Sequence, residues 1–203
     1  MTSPTLFTCR GGQVVLPSRD LVLVSRLDGG NLIVLPPREV WDRSELTPAD
    51  LTQWEFLVAA TGRAMLDVLP QLAGGCINYW DAGNWRLNEQ AEPKGPKTGP
   101  EHRRVHMHLL GRSRTATHPA WRWGEAPNFP DFAERFAWAA KFERLSAEEC
   151  GKVVARAQSL LTERYGMPAS EITPWSTCTG CGYPTAVQKG SASMQCAECR
   201  PAA

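Results

Sequence analysis

Arg104-Val105-His106-Met107-His108-Leu109-Leu110-Gly111-Arg112 is the stretch on which the fold turns. Polar and apolar residues alternate from Arg104 to Leu109. A β-strand therefore puts Val105, Met107 and Leu109 on one face and Arg104, His106 and His108 on the other. Two histidines on one face of a strand have three chemical uses: hydrogen-bonded structural imidazoles, two ligands of a metal ion, or catalytic groups. The surroundings bear on that choice. Cys76-Ile77-Asn78-Tyr79-Trp80 reads as the preceding strand, and Asn78, Gly83 and Asn84 lie in or just past it. Arg86, Arg103, Arg104, Arg112 and Arg114 crowd the same region with few acids, so donors and cations converge where a phosphate can sit. Residues 86–101 between the two strands are polar and carry Pro93, Pro96 and Pro100, which predicts a long surface loop.

Further upstream, Val14-Val15-Leu16, Leu21 to Val24 and Leu32 to Leu35 are short apolar runs separated by turn residues, which predicts an antiparallel meander. Thr47-Pro48-Ala49-Asp50 carries a cap, a first-position proline and an acid in the first turn, and an apolar stripe then runs to about Leu69, predicting a long helix. Downstream, Phe129 to Leu145 and Ala147 to Tyr165 read as two more helices, the second with Ser146 and Glu149 as capping box and Gly166 as terminator. The fold class that follows is α+β: an antiparallel sheet of about five strands with a long helix, then two C-terminal helices and a small cysteine-rich module.

Composition excludes much else. The chain has 203 residues, with 22 Lys plus Arg against 21 Asp plus Glu, so no strong overall field draws it toward nucleic acid or a membrane. The N-terminus lacks a basic start and apolar core of the secretory kind, and its apolar runs fall far short of a spanning helix. A reducing, cytoplasmic setting is the expectation. Seven cysteines in such a setting suggest metal binding more than a disulfide framework.

Four of them fall in the tail as Cys178-Thr-Gly-Cys181 and Cys196-Ala-Glu-Cys199. Two such pairs match the knuckles of a tetrahedral zinc site with four cysteine ligands. Four thiolates leave no open coordination position, so the ion expected is one structural zinc per chain, whose binding supplies folding energy that so short a module lacks. Arg164, Lys189 and Arg200 are too few to make a phosphate-binding face.

With these residues in place, the sequence resembles the histidine triad (HIT) family of nucleotide hydrolases and transferases. Their hallmark is His-x-His-x-His followed by apolar residues, after an Asn-containing strand and a Gly-Asn turn. The matching text here is Arg104 to Arg112 after Ile77-Asn78-Tyr79 and Gly83-Asn84, and upstream Asn31 to Val40 and Leu46 to Leu51 are similar to the family's first long strand and main helix. The resemblance covers about residues 5–125. It implies that His106 is a nucleophile attacking the α-phosphorus, that His108 contacts the phosphate or leaving group, and that Asn78, Gly83, Asn84 and Arg112 bind substrate. A neutral imidazole suits that role near neutral pH, and donors on the nonbridging oxygens stabilise the charge that develops there.

Two departures stand out. Arg104 occupies the first triad position in place of His, adding a cation among the catalytic residues. The 86–101 insertion separates the Gly-Asn turn from the histidine strand, and is either a tolerated surface loop or a lid that carries Arg86, Lys94 and Lys97 over the substrate. The domain layout implied is a HIT-like catalytic domain over 1–125, a helical extension over 126–166 and the four-cysteine zinc ribbon over 167–203. Trp80, Trp85, Trp121 and Trp123 flank the site as packing residues or base-stacking platforms, Asp28 is the acid nearest the place where a ribose would be read, and His102 and His118 are expected to be ordinary exposed residues.

The activity implied is hydrolysis or nucleotidyl transfer on a dinucleoside polyphosphate or a nucleoside phosphoramidate, at a phosphoric anhydride or phosphoramidate bond, through a nucleotidyl-histidine. The competing classes are a nucleotide-binding protein without efficient catalysis, an enzyme repairing adenylated nucleic-acid ends, which the neutral charge disfavours, and a second zinc on His106 and His108. Family members are commonly dimers, so the resemblance also implies a homodimer.

Overall fold

A computed structural model of the chain describes residues 3–82, 105–131, 134–187 and 194–200. Within them the chain is α+β, built on a five-stranded antiparallel sheet. Its strands are β1 (Thr5–Cys9), β2 (Gly12–Val15), β3 (Asn31–Leu35), β4 (Cys76–Ala82) and β5 (His106–Arg112), laid side by side in the order β1-β2-β3-β5-β4. Between β3 and β4 runs α1 (Pro48–Val68). Thr47 caps it by accepting from the Asp50 amide, and Asp50 reciprocates on the Thr47 amide, so two orphan donors are satisfied at once. After β5 come a short α2 (Arg135–Ala139) and α3 (Ala147–Glu163). Ser146 and Glu149 form the same reciprocal cap on α3, and Gly166, at φ +65°, turns the chain so that the Met167 amide reaches back to the Leu161 carbonyl.

Because β5 alternates, the sheet is buried on both sides by different material. Met107 and Leu109, beside Val34 and Leu32 of β3, face one large core filled by Trp54, Leu57 and Met65 of α1 and by Val153, Val154 and Leu161 of α3. The opposite face carries His108 and Leu110, and there Val24, Ala120 and Trp121 close over Leu110. Loops, a 3₁₀ turn at Pro119–Trp121 and Trp138 of the short α2 make that second cover. The loop before β3 comes so close to β5 that a Cβ on Gly111 would stand 2.3 Å from the Gly29 carbonyl oxygen.

Two sequence expectations need correction. Leu21 to Val24 is not a strand: 3₁₀ turns occupy Arg19–Leu21 and Arg26–Asp28, and the Asn31 side-chain oxygen accepts from the Leu23 and Val24 amides, giving the backbone a local partner in place of a ladder. The strand that completes the sheet is β1, which pairs with β2 across a tight turn at Arg10-Gly11. Between Phe129 and Leu145 only Arg135–Ala139 is α-helical. Residues 142–146 leave the helix because the Glu143 carbonyl takes the Arg26 amide and the Arg144 side chain reaches the Pro17 carbonyl.

A two-stranded hairpin, β6 (Trp175–Thr177) with β7 (Pro184–Ala186), follows α3. It is fastened to the sheet at the β1 edge, where the Thr173 amide donates to the Thr8 carbonyl and Cys9 bridges Ile172. Among the described residues no helix is long and apolar enough to cross a membrane.

Candidate functional site

His106 opens β5 and His108 follows two residues on, so strand geometry alone turns both rings to one face. Their Nε2 atoms converge to 3.1 Å, with ring centroids 4.8 Å apart. One of those nitrogens carries the proton and the other presents its lone pair. The two rings are not equivalent: His108 is buried at 8% exposure, while His106 is half-buried at the end of the strand and can be approached from outside.

Cross-strand register builds the flanks. Trp80 of β4 stands directly opposite His108, and Ile33 of β3 stands opposite it on the other side. The Trp80 ring stacks on the His108 imidazole at 5.1 Å and 23°. Trp80 also meets Phe129 at 4.6 Å, tilted by 38°, and Phe129 in turn meets the edge of fully buried Trp121 at 5.5 Å.

Asn78 and Arg112 form a separate pair farther along the same two strands. Asn78 is in register with Leu110, and its side-chain oxygen accepts from the Arg112 guanidinium at 3.1 Å. Arg112 is 4% exposed and also donates to the backbone carbonyls of Arg122 and Glu125, at 2.7 and 2.9 Å. Its donors thus hold the 122–125 loop against the sheet. From His106 to Arg112 the strand runs about 20 Å. The structure therefore brings His106 and His108 together and places Asn78 and Arg112 in a clamp of their own. Arg104, Gly83, Asn84, His102, Trp85 and the 86–101 insertion lie outside the described residues.

No protein-family model matches this chain, and no curated protein or solved structure matches it.

Two residues weighed in the sequence have other duties. Asp28 is buried and accepts from the Thr117 amide at 2.7 Å, which ties down the loop after β5. His118, expected to be exposed, is half-buried: its Nδ1 accepts from the Ala120 amide, and its ring packs edge-on against Trp138 and Phe142. A cavity of about 470 Å³ opens elsewhere, lined by Arg26, Phe136, Arg144 and Tyr183 among others. Two of its three arginines are engaged, Arg26 on Glu149 and Arg144 on Glu198, and Asp20 and Glu143 also line it, so its charge is largely neutralised.

The cysteine tail forms the second candidate centre. The β6–β7 turn presents Cys178 and Cys181, and the segment 196–199 brings Cys196 and Cys199 up to them. All four Sγ atoms lie within 4.8 Å of one another, and Cys181 and Cys196 are 3.5 Å apart. A tetrahedral ion with bonds of about 2.3 Å asks for sulfur separations near 3.8 Å, so the cluster can hold a metal ion. Burial works against a thiolate at Cys178, but the backbone amides of Cys196, Cys181 and Gly180 outweigh it and bring that thiol down to about 6. Gly180 is required by this approach: a Cβ there would stand 2.8 Å from the Cys199 sulfur.

What sequence reasoning missed is the support structure. The opposition of Trp80 to His108 follows from register, which the two strand readings did not specify. The Arg112 clamp depends on a loop that comes back from ten residues downstream.

Proposed function

We propose that this chain is a HIT-type nucleotide phosphohydrolase or nucleotidyltransferase, acting on a dinucleoside polyphosphate or a nucleoside phosphoramidate, with a structural zinc on Cys178, Cys181, Cys196 and Cys199. The observation that carries the reading is the convergence of the His106 and His108 Nε2 atoms on one point, with His106 the more accessible ring.

In this reading a phosphate enters between the two nitrogens and parts them. The His106 Nε2 lone pair attacks the α-phosphorus, a P–N bond to the imidazole forms, and the bond from phosphorus to the leaving oxygen or nitrogen breaks. His108 contributes its Nε2 proton to the departing group. Water then attacks the nucleotidyl-imidazole, the P–N bond breaks, and nucleoside monophosphate leaves a regenerated His106, one proton of the water returning to the histidine pair. Splitting the displacement in two gives the first half a better nucleophile than water and the second half an imidazole as leaving group. Gly83, Asn84 and Arg104 keep the roles the resemblance implies, as donors and a cation around the phosphate. Asn78, bound to Arg112 farther along the sheet, supports the 122–125 loop in this reading and does not touch the phosphate between the histidines.

The test is direct. His106→Asn should abolish turnover of diadenosine polyphosphates and adenosine phosphoramidates, and wild-type protein quenched during turnover should carry labelled nucleotide on His106. Unchanged turnover in His106→Asn sinks the mechanism.

One specific observation supports a second reading. A tetrahedral zinc holds two imidazole nitrogens about 3.3 Å apart, close to the separation of the histidine pair. Metal content separates the two: one zinc per chain fits the cysteine cluster alone, and two favour a metal on His106 and His108.

A further inference from the structure

Trp80 would ordinarily be taken for a nucleobase platform, being a half-buried indole beside a phosphate-handling histidine. Its surroundings argue against that. The His108 imidazole stacks on the ring, with planes 23° apart, and Phe129 packs against it at 4.6 Å, tilted by 38°. A base would have to compete with both rings for the indole.

We propose instead that Trp80 is a positioning residue, whose indole, backed by Phe129 and Trp121, fixes the plane of the His108 imidazole so that its Nε2 meets the Nε2 of His106. The series Trp121–Phe129–Trp80–His108 runs from a fully buried ring to the reacting pair, each member in ring contact with the next. Phe129 lies just beyond the 122–125 loop that Arg112 pins, so the aromatic stack is held at its base by the clamp. An imidazole on a strand swings about χ1 and a broad χ2, and a flat ring stacked on its face removes most of the second freedom. The substrate's base then lies away from Trp80.

This proposal rests on the nucleotidyl-transfer reading for its kinetics, though not for its geometry. Wild type, Trp80→Phe and Trp80→Leu are compared by NMR on histidine-labelled protein, with His108 assigned through His108→Gln. Stacking holds the His108 ring protons upfield. Trp80→Leu should move them back and break the Nε2–Nε2 tautomer pairing seen in the ring nitrogen shifts, while Trp80→Phe keeps both.

In turnover assays Trp80→Leu should lower kcat about 100-fold, the loss that a misplacement of about 1 Å brings, with KM moving less than about threefold. Trp80→Phe should restore most of the rate. An unmoved His108 signal in Trp80→Leu overturns the proposal, and so does a moved signal with unchanged kcat. A wild-type protein that turns over none of the nucleotides defeats the nucleotidyl-transfer reading alone. The tautomer pairing then decides the role of Trp80, lost in Trp80→Leu and kept in Trp80→Phe if it positions His108, unchanged in both if it does not. Should Trp80→Leu fail to fold, Phe129→Leu removes the backing ring and puts the same question.

Discussion

Glu198→Gln should destabilise the protein out of proportion to its place near the surface. Glu198 lies inside the second cysteine knuckle, and its two carboxylate oxygens accept from both terminal nitrogens of Arg144 at 2.7 and 2.8 Å. The Arg144 side chain is 5% exposed against 22% for Glu198, and its guanidinium also lies 4.6 Å over the Tyr183 ring. Burial works against the charged arginine, but the Glu198 carboxylate and the Tyr183 hydroxyl outweigh it and hold its proton more tightly than usual. Removing one partner of a fully buried pair costs about 3–5 kcal/mol, because the other charge stays desolvated. Water can reach the Glu198 position in part, so the lower figure of about 2–3 kcal/mol applies here.

For a chain of this length that is a fall in Tm of about 5–10 °C, measured at saturating zinc so that both proteins melt from the same loaded state. The knuckle also loses its anchor, so a chelator should strip the metal faster from the variant. The double variant Arg144→Met with Glu198→Leu separates the causes: if the unpaired charge is what hurts, the double variant recovers most of the loss despite lacking both partners. A Tm within about 1 °C of wild type for Glu198→Gln refutes the reasoning, since a solvent-screened pair behaves that way.

Two further outcomes follow from the structure. Arg112→Met leaves the carbonyls of Arg122 and Glu125 and the Asn78 oxygen without their donor, and should cost about 2–4 kcal/mol in denaturant unfolding; unaltered stability with lost phosphate affinity would instead return Arg112 to the substrate. At Glu149, burial favours the neutral acid, but Arg26, the Ser146 amide and Gln71 outweigh it and hold the carboxyl below its ordinary 4.5. Its contribution is therefore complete above the ordinary value and lost as pH falls through the lowered one, so the stability gap between wild type and Glu149→Gln should be full near neutrality and close only in acid; a gap that widens on acidification would contradict the assignment.

The parts of the fold that were legible in sequence are those fixed by neighbours a few residues away. Thr47-Pro48-Ala49-Asp50 and Ser146 with Glu149 specify their helix starts because a cap needs only the next turn. The alternation around His106 and His108 specifies a strand with one polar face because the period of two is local. The cysteine spacing works the same way, since each knuckle is four residues long. What escaped was decided at a distance. Leu21 to Val24 has the composition of a strand, yet the Asn31 amide group satisfies its backbone, and Val24 is drawn under Trp121 and Leu110. Phe129 to Leu145 has helical spacing, but the Arg26 and Arg144 contacts pull its second half straight.

The same distinction explains why the candidate site was only half visible. Which residues sit opposite one another on two strands depends on register, and a shift of one residue would have put Trp80 on the α1 side and Tyr79 against His108. Register here is held by both burial patterns together: Ile77 packs toward the α1 core, while Trp80 packs into the second cluster. A slip would expose one set and bury Asp81, whose carboxylate is bound to Arg43. The face that holds the histidines is therefore specified by the apolar residues between them. The second layer of loops also explains the difference between the two rings: it covers β5 from Leu110 toward His108 and leaves His106 at its rim. That gradient leaves His106 the more accessible ring and His108 the ring held in place behind it.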